Sequence, residues 1–234
     1  MIEVRTSGQR GSANFGWLQS RHSFSFGRYY DPAQMGFSAL RVINDDLVAP
    51  GAGFDTHGHR DMEIISLVLD GVIAHRDSTG NVAELPAGEY QLMSAGTGIM
   101  HSEFNARPDQ PLHFLQIWIE PDSPGGEPGY QQKPFASTAG LTLIASKTAE
   151  DGSLRLRQDA KLYQLRLDAQ SQLHYQTAAG RKLYLHLVSG PLTLQSGVTQ
   201  LELQPGDGVK IADLTDWQFA SSTDPVFALL FDLP

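Results

Sequence analysis

Four residues in the first half of the sequence have the types and spacing of a metal site. His57 and His59 are two residues apart, and so are His101 and Glu103. Side chains at positions i and i+2 of a strand project from the same face, so each pair can reach one ion. Three neutral imidazoles and one carboxylate suit a first-row transition metal and leave coordination positions open. The pattern predicts a divalent metal ion bound by His57, His59, His101 and Glu103.

Several other titratable residues have less specific patterns. Glu63 follows the first pair, and three roles stay open for it: a further ligand, a partner that orients an imidazole, or a solvated strand residue. His113 stands at the start of an apolar run, which favours a hydrogen-bonded core histidine over a role beside the metal. The remaining histidines have no partner at ligand spacing, and we interpret them as ordinary residues: His22, His75, His174 and His186.

The elements that must position these residues are β-strands. Three short runs are mostly apolar, at residues 64–69, 115–119 and 226–231. Four others alternate with a period of two, as half-buried strands do, at residues 154–157, 163–167, 192–195 and 201–204. Glycine and proline interrupt the chain at short intervals, and no long amphipathic helix is visible. The sequence therefore predicts an all-β fold of the sandwich or barrel type.

A weak internal repeat divides the chain into two halves. Residues 67–71 (LVLDG) match residues 186–190 (HLVSG) at an offset of 119, and Pro86 and Pro205 are separated by the same offset. Such a repeat predicts a duplicated β-domain. The segment 121–129 is rich in proline and glycine and is the clearest linker. We expect an N-terminal metal-binding domain over residues 1–125 and a C-terminal domain over residues 140–234.

Composition excludes several classes of protein. The 234 residues include no cysteine, so disulfides, thiolate zinc sites and a cysteine nucleophile are absent. A formal net charge of −9 argues against binding to nucleic acid, because no basic stripe is present. The first residues lack the apolar core of a signal peptide, and no run approaches the roughly 20 apolar residues of a membrane span. We expect a cytoplasmic protein that binds neither nucleic acid nor a membrane.

The histidine pairs match the two motifs of the cupin superfamily. The first motif joins a glycine, an H-x-H pair, a glutamate and a second glycine, and the matching residues are Gly51, His57, His59, Glu63 and Gly71, with one extra residue before the last glycine. The second motif is matched by Gly98, His101 and Asn105, with Gly96 in place of a proline.

More closely, the chain resembles the pirin family, in particular bacterial pirin-like proteins with quercetin 2,3-dioxygenase activity. The likeness is carried by residues 22–32, 40–46, 57–64, 96–105 and 115–118, and it extends weakly through the second half to residues 230–233. It implies a bicupin fold of two antiparallel jelly-roll-type β-barrels and a monomeric protein. It also implies that the ligands are His57, His59, His101 and Glu103, so that Glu63 does not bind the metal. Gly58 departs from the H-P-H sequence that relatives often carry.

The second half lacks the metal motif. Adding 119 to the four ligand positions gives Gln176, Ala178, Ala220 and Ser222. No H-x-H or H-x-E pair occurs near them. We therefore expect the C-terminal cupin to have no metal ligands and to be structural.

The resemblance implies a dioxygenase that opens the ring of a flavonol such as quercetin with O₂ and releases carbon monoxide. The metal would act as a Lewis acid on the 3-hydroxyl, with Glu103 as the general base. Iron is the first expectation for the ion, with Ni, Cu, Co, Mn and Zn as alternatives. Phe24, Phe26 and Phe104 are candidates to line an apolar cleft for flat rings.

Two other functional classes stay open. One is a metal- or redox-sensing protein that binds a regulatory or metabolic protein partner, which the resemblance also implies and which an acidic surface fits. The other is sugar isomerase or epimerase chemistry on the cupin fold. That chemistry needs cations for phosphate groups, and only Arg60 stands near the motifs.

Overall fold

The computed structural model describes all of residues 1–234 and is built almost entirely of strands. The strands are β1 (Ile2–Arg5), β2 (Gly11–Asn14), β3 (Leu18–His22), β4 (Leu40–Val48), β5 (Gly53–Asp70), β6 (Val72–Asp77), β7 (Val82–Pro86), β8 (Glu89–Asn105), β9 (Leu112–Ile119), β10 (Gly129–Pro134), β11 (Gly140–Ser146), β12 (Leu154–Arg155), β13 (Lys161–Leu167), β14 (Gln172–Gln176), β15 (Lys182–Ser189), β16 (Leu192–Ser196), β17 (Thr199–Leu203), β18 (Gly208–Ala212), β19 (Asp216–Ser221) and β20 (Val226–Leu233). The helices are two short 3₁₀ turns, Ser7–Gln9 and Glu150–Gly152. Neither has the length or hydropathy that crossing a membrane requires. The predicted all-β fold is confirmed.

The chain forms two compact units that are each discontinuous in sequence. The N-terminal unit comprises residues 11–135 and 154–158, and the C-terminal unit comprises residues 1–10, 136–153 and 159–234. The first ten residues, assigned above to the first domain, lie in the C-terminal unit because β1 pairs with β18, with Ile2 opposite Ile211. Likewise β10 lies in the N-terminal unit, beyond residue 125, because it pairs with β8.

The N-terminal unit contains one large antiparallel sheet with two long strands near its centre. The strand order is β2-β3-β4-β9-β5-β8-β6-β7, and β10 also pairs with β8. In β5 the residues from Ile64 to Val68 are all buried, as expected for a strand that is covered on both faces. The four predicted ligands lie on β5 and β8, which are paired to each other.

The C-terminal unit is built from two antiparallel sheets around an apolar core. One sheet has the order β1-β18-β15-β20-β13-β11, and the other has the order β14-β19-β16-β17. Leu185 and Leu230 from the first sheet, and Leu194, Trp217 and Phe219 from the second, are fully buried in one cluster. Burial of each such side chain stabilises the folded state by about 1.5–3 kcal/mol.

The two units repeat one strand arrangement, which explains the internal sequence repeat. In the first, β5 pairs with β8 and β9, and in the second, β15 pairs with β18 and β20. The hairpins β6–β7 and β16–β17 also correspond. Gly71 and Gly190 follow β5 and β15 with φ of 88° and 75°. A Cβ at Gly190 would lie 2.1 Å from the Pro225 carbonyl oxygen, so the repeated turn requires glycine.

Glu63 is a fully buried carboxyl group on β5. Its Oε2 accepts hydrogen bonds from Ser94 Oγ at 3.0 Å and from the Arg157 backbone N–H at 3.1 Å, whereas Oε1 has no hydrogen-bond partner. Burial raises the pKa of Glu63, and the hydrogen bonds offset this only in part. The folded state is therefore destabilised when this carboxyl group ionises.

We expect Glu63→Gln to raise the free energy of unfolding near pH 8 and to change it little near about pH 4. An acid whose pKa is raised by folding loses stability as pH rises from its unfolded value through its folded value. The neutral amide keeps an acceptor for Ser94 and removes the buried charge. The free energy of unfolding near pH 8 should rise by on the order of 1 kcal/mol. Urea unfolding across this pH range measures the difference. The exposed carboxyl of Glu120 provides the control, Glu120→Gln, and a destabilised Glu63→Gln at high pH would contradict the prediction.

Candidate metal centre

Two paired strands bring three histidines together. In the β5–β8 register His57 lies opposite His101, and their Nε2 atoms are 3.1 Å apart. His59 lies two residues further along β5, with its ring centroid 4.8 Å from that of His57 and 4.9 Å from that of His101. One potential ligand atom from each histidine lies within 4.8 Å of the other two. The three side chains are therefore candidate ligands of one metal ion, which binds imidazole nitrogen at about 2.0–2.1 Å.

A backbone carbonyl group fixes the tautomer of His57. Its Nδ1 lies 2.7 Å from the carbonyl oxygen of Asp55, which can only accept, so Nδ1 carries the proton. Nε2 of His57 then carries no proton, and its lone pair faces Nε2 of His101 at 3.1 Å. His59 Nε2 and His101 Nδ1 are buried without hydrogen-bond partners. The cluster therefore has two buried ring nitrogens that no other group in the protein satisfies.

Burial favours the uncharged form of two of the clustered imidazoles, those of His59 and His101. Burial, together with the neighbouring imidazole of His57, lowers the pKa of His59 to about 4. The same causes lower the pKa of His101 to about 3. Neutral imidazole is the form that binds metal ions. A cluster of three imidazoles, two of them with an unsatisfied nitrogen, fits a divalent first-row transition metal.

Glu103 lies on β8 beside the cluster and belongs to a second group of potential ligands, with His75 and His101. The residue is 2% exposed. Its Oε1 accepts a hydrogen bond from Ser66 Oγ at 3.3 Å, and Oε2 accepts one from Gln116 Nε2 at 3.1 Å. Burial raises the pKa of Glu103 to about 7. The three predicted histidines thus share one cluster, and Glu103 is linked to it through His101.

His75 lies in this region although the sequence analysis interpreted it as an ordinary residue. It stands opposite Glu103 in the β6–β8 register, and its ring centroid is 5.5 Å from that of His101. His75 Nε2 lies 3.0 Å from Asp77 Oδ2. Burial alone would raise the pKa of Asp77, but hydrogen bonds, from His75 first, hold it below its usual range. The H-x-D spacing of His75 and Asp77 in the sequence could have indicated this histidine–carboxylate pair.

The other histidines and Glu63 lie outside both groups of potential ligands. His113 is hydrogen-bonded, with Nε2 2.7 Å from Asp45 Oδ1, but its side chain is 39% exposed and does not lie in the core as predicted. His22 is buried and its Nδ1 lies 2.8 Å from Asn44 Oδ1. In the C-terminal unit His174 is exposed and His186 is buried.

A cavity of about 890 Å³ lies against the cluster, and His57 and His59 form part of its wall. The wall is mostly apolar, with the aromatic side chains of Phe15, Trp17, Phe26, Tyr29, Phe54 and Trp118. Trp118 packs edge-on against His59, with ring centroids 4.9 Å apart. Both the volume and the lining are those of a site for a small, flat, largely apolar molecule.

Of the three phenylalanines predicted to line a cleft, only Phe26 lies in this wall. Phe24 is 1% exposed and belongs to the core. Phe104 lines a different, smaller cavity, because it follows Glu103 on β8 and faces the opposite side of the strand. The prediction was wrong for Phe24 and Phe104. Three polar wall residues were not predicted as site residues, although they lie in stretches that carry the family resemblance: Asn44, Asp46 and Gln116.

Comparison with known proteins matches each half of the chain to a family model. The family model Pirin matches residues 3–119, and a model of the quercetinase C-terminal cupin domain matches residues 143–233. The chain is 47% identical over 234 residues to quercetin 2,3-dioxygenase of Escherichia coli strain K12, covering 100% of this chain and 99% of the relative. It is 42% identical over 214 residues to a pirin-like protein of Caulobacter vibrioides, covering 90% and 91%.

A solved structure extends this similarity to the whole fold. The bacterial pirin YhhW from Escherichia coli, in complex with nickel(II), matches with a TM-score of 0.95 at 46% identity, covering 100% of this chain and 99% of that chain. The two motifs, the repeated strand arrangement and the full-length similarity agree. The chain belongs to the pirin family of the cupin superfamily.

Proposed function

We propose that this protein is a metal-dependent dioxygenase that opens the ring of a flavonol such as quercetin with O₂ and releases carbon monoxide. The observation that carries the proposal is the three-histidine cluster in the wall of an aromatic-lined cavity. Relatives named quercetin 2,3-dioxygenase support the same chemistry. The proposed ligands are His57, His59, His101 and Glu103.

A divalent metal ion held by these residues would supply Lewis-acid chemistry that lowers the pKa of the substrate 3-hydroxyl. Iron is the ion expected from the sequence, and the nickel(II) complex of a relative supports nickel as a further candidate. Imidazole suits both ions, so the available metal contributes to the choice.

The cavity and Glu103 supply the protein's share of the chemistry. Aromatic side chains such as Phe26, Phe54 and Trp118 pack on flat rings and exclude water from the reacting edge of the substrate. Glu103 is the proposed general base, which takes the 3-hydroxyl proton onto a carboxyl oxygen. Ser66 and Gln116 hold that carboxyl group in place. A concave aromatic cavity suits a small molecule better than a protein surface, so we do not adopt the sensor alternative.

We expect the wild-type protein to bind one equivalent of Fe²⁺ or Ni²⁺ and the double variant His57→Ala, His101→Ala to lose it. Removing groups that merely orient a ligand costs about 10–100-fold in metal affinity, so removing two ligands should cost more. Elemental analysis after reconstitution and desalting measures the bound metal, and circular dichroism checks the fold. The control is His174→Ala, an exposed histidine paired with Asp216. Full metal content in the double variant would overturn the ligand assignment.

We expect the reconstituted protein to consume O₂ and release carbon monoxide with quercetin, after anaerobic loading with Fe, Mn, Co, Ni or Cu in turn. Glu103→Gln should lower kcat by about 10²–10⁴-fold per bound metal ion, because the amide cannot take the proton. Oxygen uptake and carbon monoxide detection measure the rate, with Glu120→Gln as the control. A metal-loaded wild type without turnover argues against the dioxygenase. An undiminished rate in Glu103→Gln excludes it as the base.

A further inference from the structure

Asp46 is a carboxyl group in the cavity wall that the proposed chemistry does not use. It lies on β4, is 3% exposed, and lines the same cavity as His57 and His59. Its Oδ1 has no hydrogen-bond partner. No lysine or arginine pairs with it, and the groups that act on it are Ser20, Asp45 and His113. The fold therefore places an acidic side chain with one unpaired oxygen in the cavity wall.

Such an arrangement is costly unless a ligand completes it. A buried polar atom without a partner destabilises the folded protein, and few remain unpaired in native structures. Burial raises the pKa of Asp46 to about 7, and the hydrogen bond from Ser20 and the nearby His113 offset the effect only in part. A hydrogen-bonding group on a bound molecule would satisfy the free oxygen. Because the terminal torsion of aspartate is broad and two-fold, either oxygen can face the cavity.

The neighbours of Asp46 connect it to the proposed reaction site. Asn44 precedes it by two residues on β4 and lines the same cavity. Gln116 stands opposite Asn44 in the β4–β9 register, lines the cavity, and donates a hydrogen bond to Glu103. The same polar part of the cavity wall thus contains Asp46 and Gln116, the residue that holds the proposed base Glu103.

We infer that Asp46 is a substrate-binding residue whose carboxyl group forms a hydrogen bond with a ring hydroxyl of the flavonol other than the 3-hydroxyl. This inference rests on the proposed function and deepens it. The aromatic wall selects flat molecules but distinguishes poorly between hydroxylation patterns. A buried carboxyl group makes a directional contact, and its loss discriminates against ligands that lack the matching hydroxyl. Asp46 therefore sets both the preference for hydroxylated flavonols and their orientation.

Asp45 provides a matched control on the same strand. It is the next residue on β4, and its side chain, 23% exposed, pairs with His113 at 2.7 Å. Adjacent residues of a strand face opposite sides, and Asp45 is absent from the cavity wall. A substitution at Asp45 thus changes the charge of the strand without changing the cavity.

Anaerobic equilibrium binding to the metal-loaded protein tests the inference, because without O₂ the readout does not depend on turnover. The two probes are quercetin and 3-hydroxyflavone, which lacks the other ring hydroxyls. We expect the wild type to prefer quercetin by about tenfold or more, the usual effect of a hydrogen bond to a charged group. Asp46→Ala should remove that preference by weakening quercetin alone. Asp46→Asn, which keeps an acceptor oxygen but loses the charge, should retain part of it, and Asp45→Asn all of it.

The outcomes separate this inference from the dioxygenase proposal. Equal weakening of both flavonols in Asp46→Ala would assign Asp46 to cavity structure, and unchanged quercetin affinity would remove it from the site; either result overturns the inference. No preference in the wild type overturns it without any variant. An Asp46-dependent preference without O₂ consumption supports the binding role while the dioxygenase proposal fails. Turnover without that preference overturns the binding role alone.

Discussion

The antiparallel register between β5 and β8 is the constraint on which the candidate metal centre depends. Side chains alternate along a strand, so a slip of one residue would turn His57 and His59 away from His101. Buried pairs further along the same strands, Ile64 opposite Met93 among them, hold the register. Register shifts on either side of the histidine pair bend this end of β5 locally. The apolar half of the two strands therefore determines the geometry of their polar half.

Burial acts on the acids and bases of this region in opposite directions. It lowers the pKa of His59 and His101 and raises that of Glu103, since a low-dielectric surrounding disfavours the charged form of each. Asp46 raises the pKa of Glu103 further. The region combines electron-pair donors and acidic groups with no lysine or arginine among their hydrogen-bond partners. A bound cation is the group that this electrostatic arrangement lacks.

Local patterns in the sequence predicted the strands, the repeat and the histidine cluster, because a period of two and an i, i+2 spacing belong to single strands. Features that depend on which strands become neighbours were not predictable in this way. His75 approaches Glu103 only because β6 lies beside β8. Asp46 lies near Gln116, which donates a hydrogen bond to Glu103, only because β4 lies beside β9. Phe104 is adjacent to Glu103 on β8, so the two side chains face opposite sides of the strand, and Phe104 is absent from the cavity wall.

The placement of β1 affects the order in which the chain can fold during synthesis. Ile2 is made 209 residues before its partner Ile211, so β1 has no edge to join until β18 has left the ribosome. Closing such a long loop costs only slightly more entropy than closing a shorter one, but it delays the contact. Every strand of the N-terminal unit lies within residues 11–158. The histidine cluster can therefore assemble while the C-terminal sheet is still being made, whereas β1 docks only after β18 has been made.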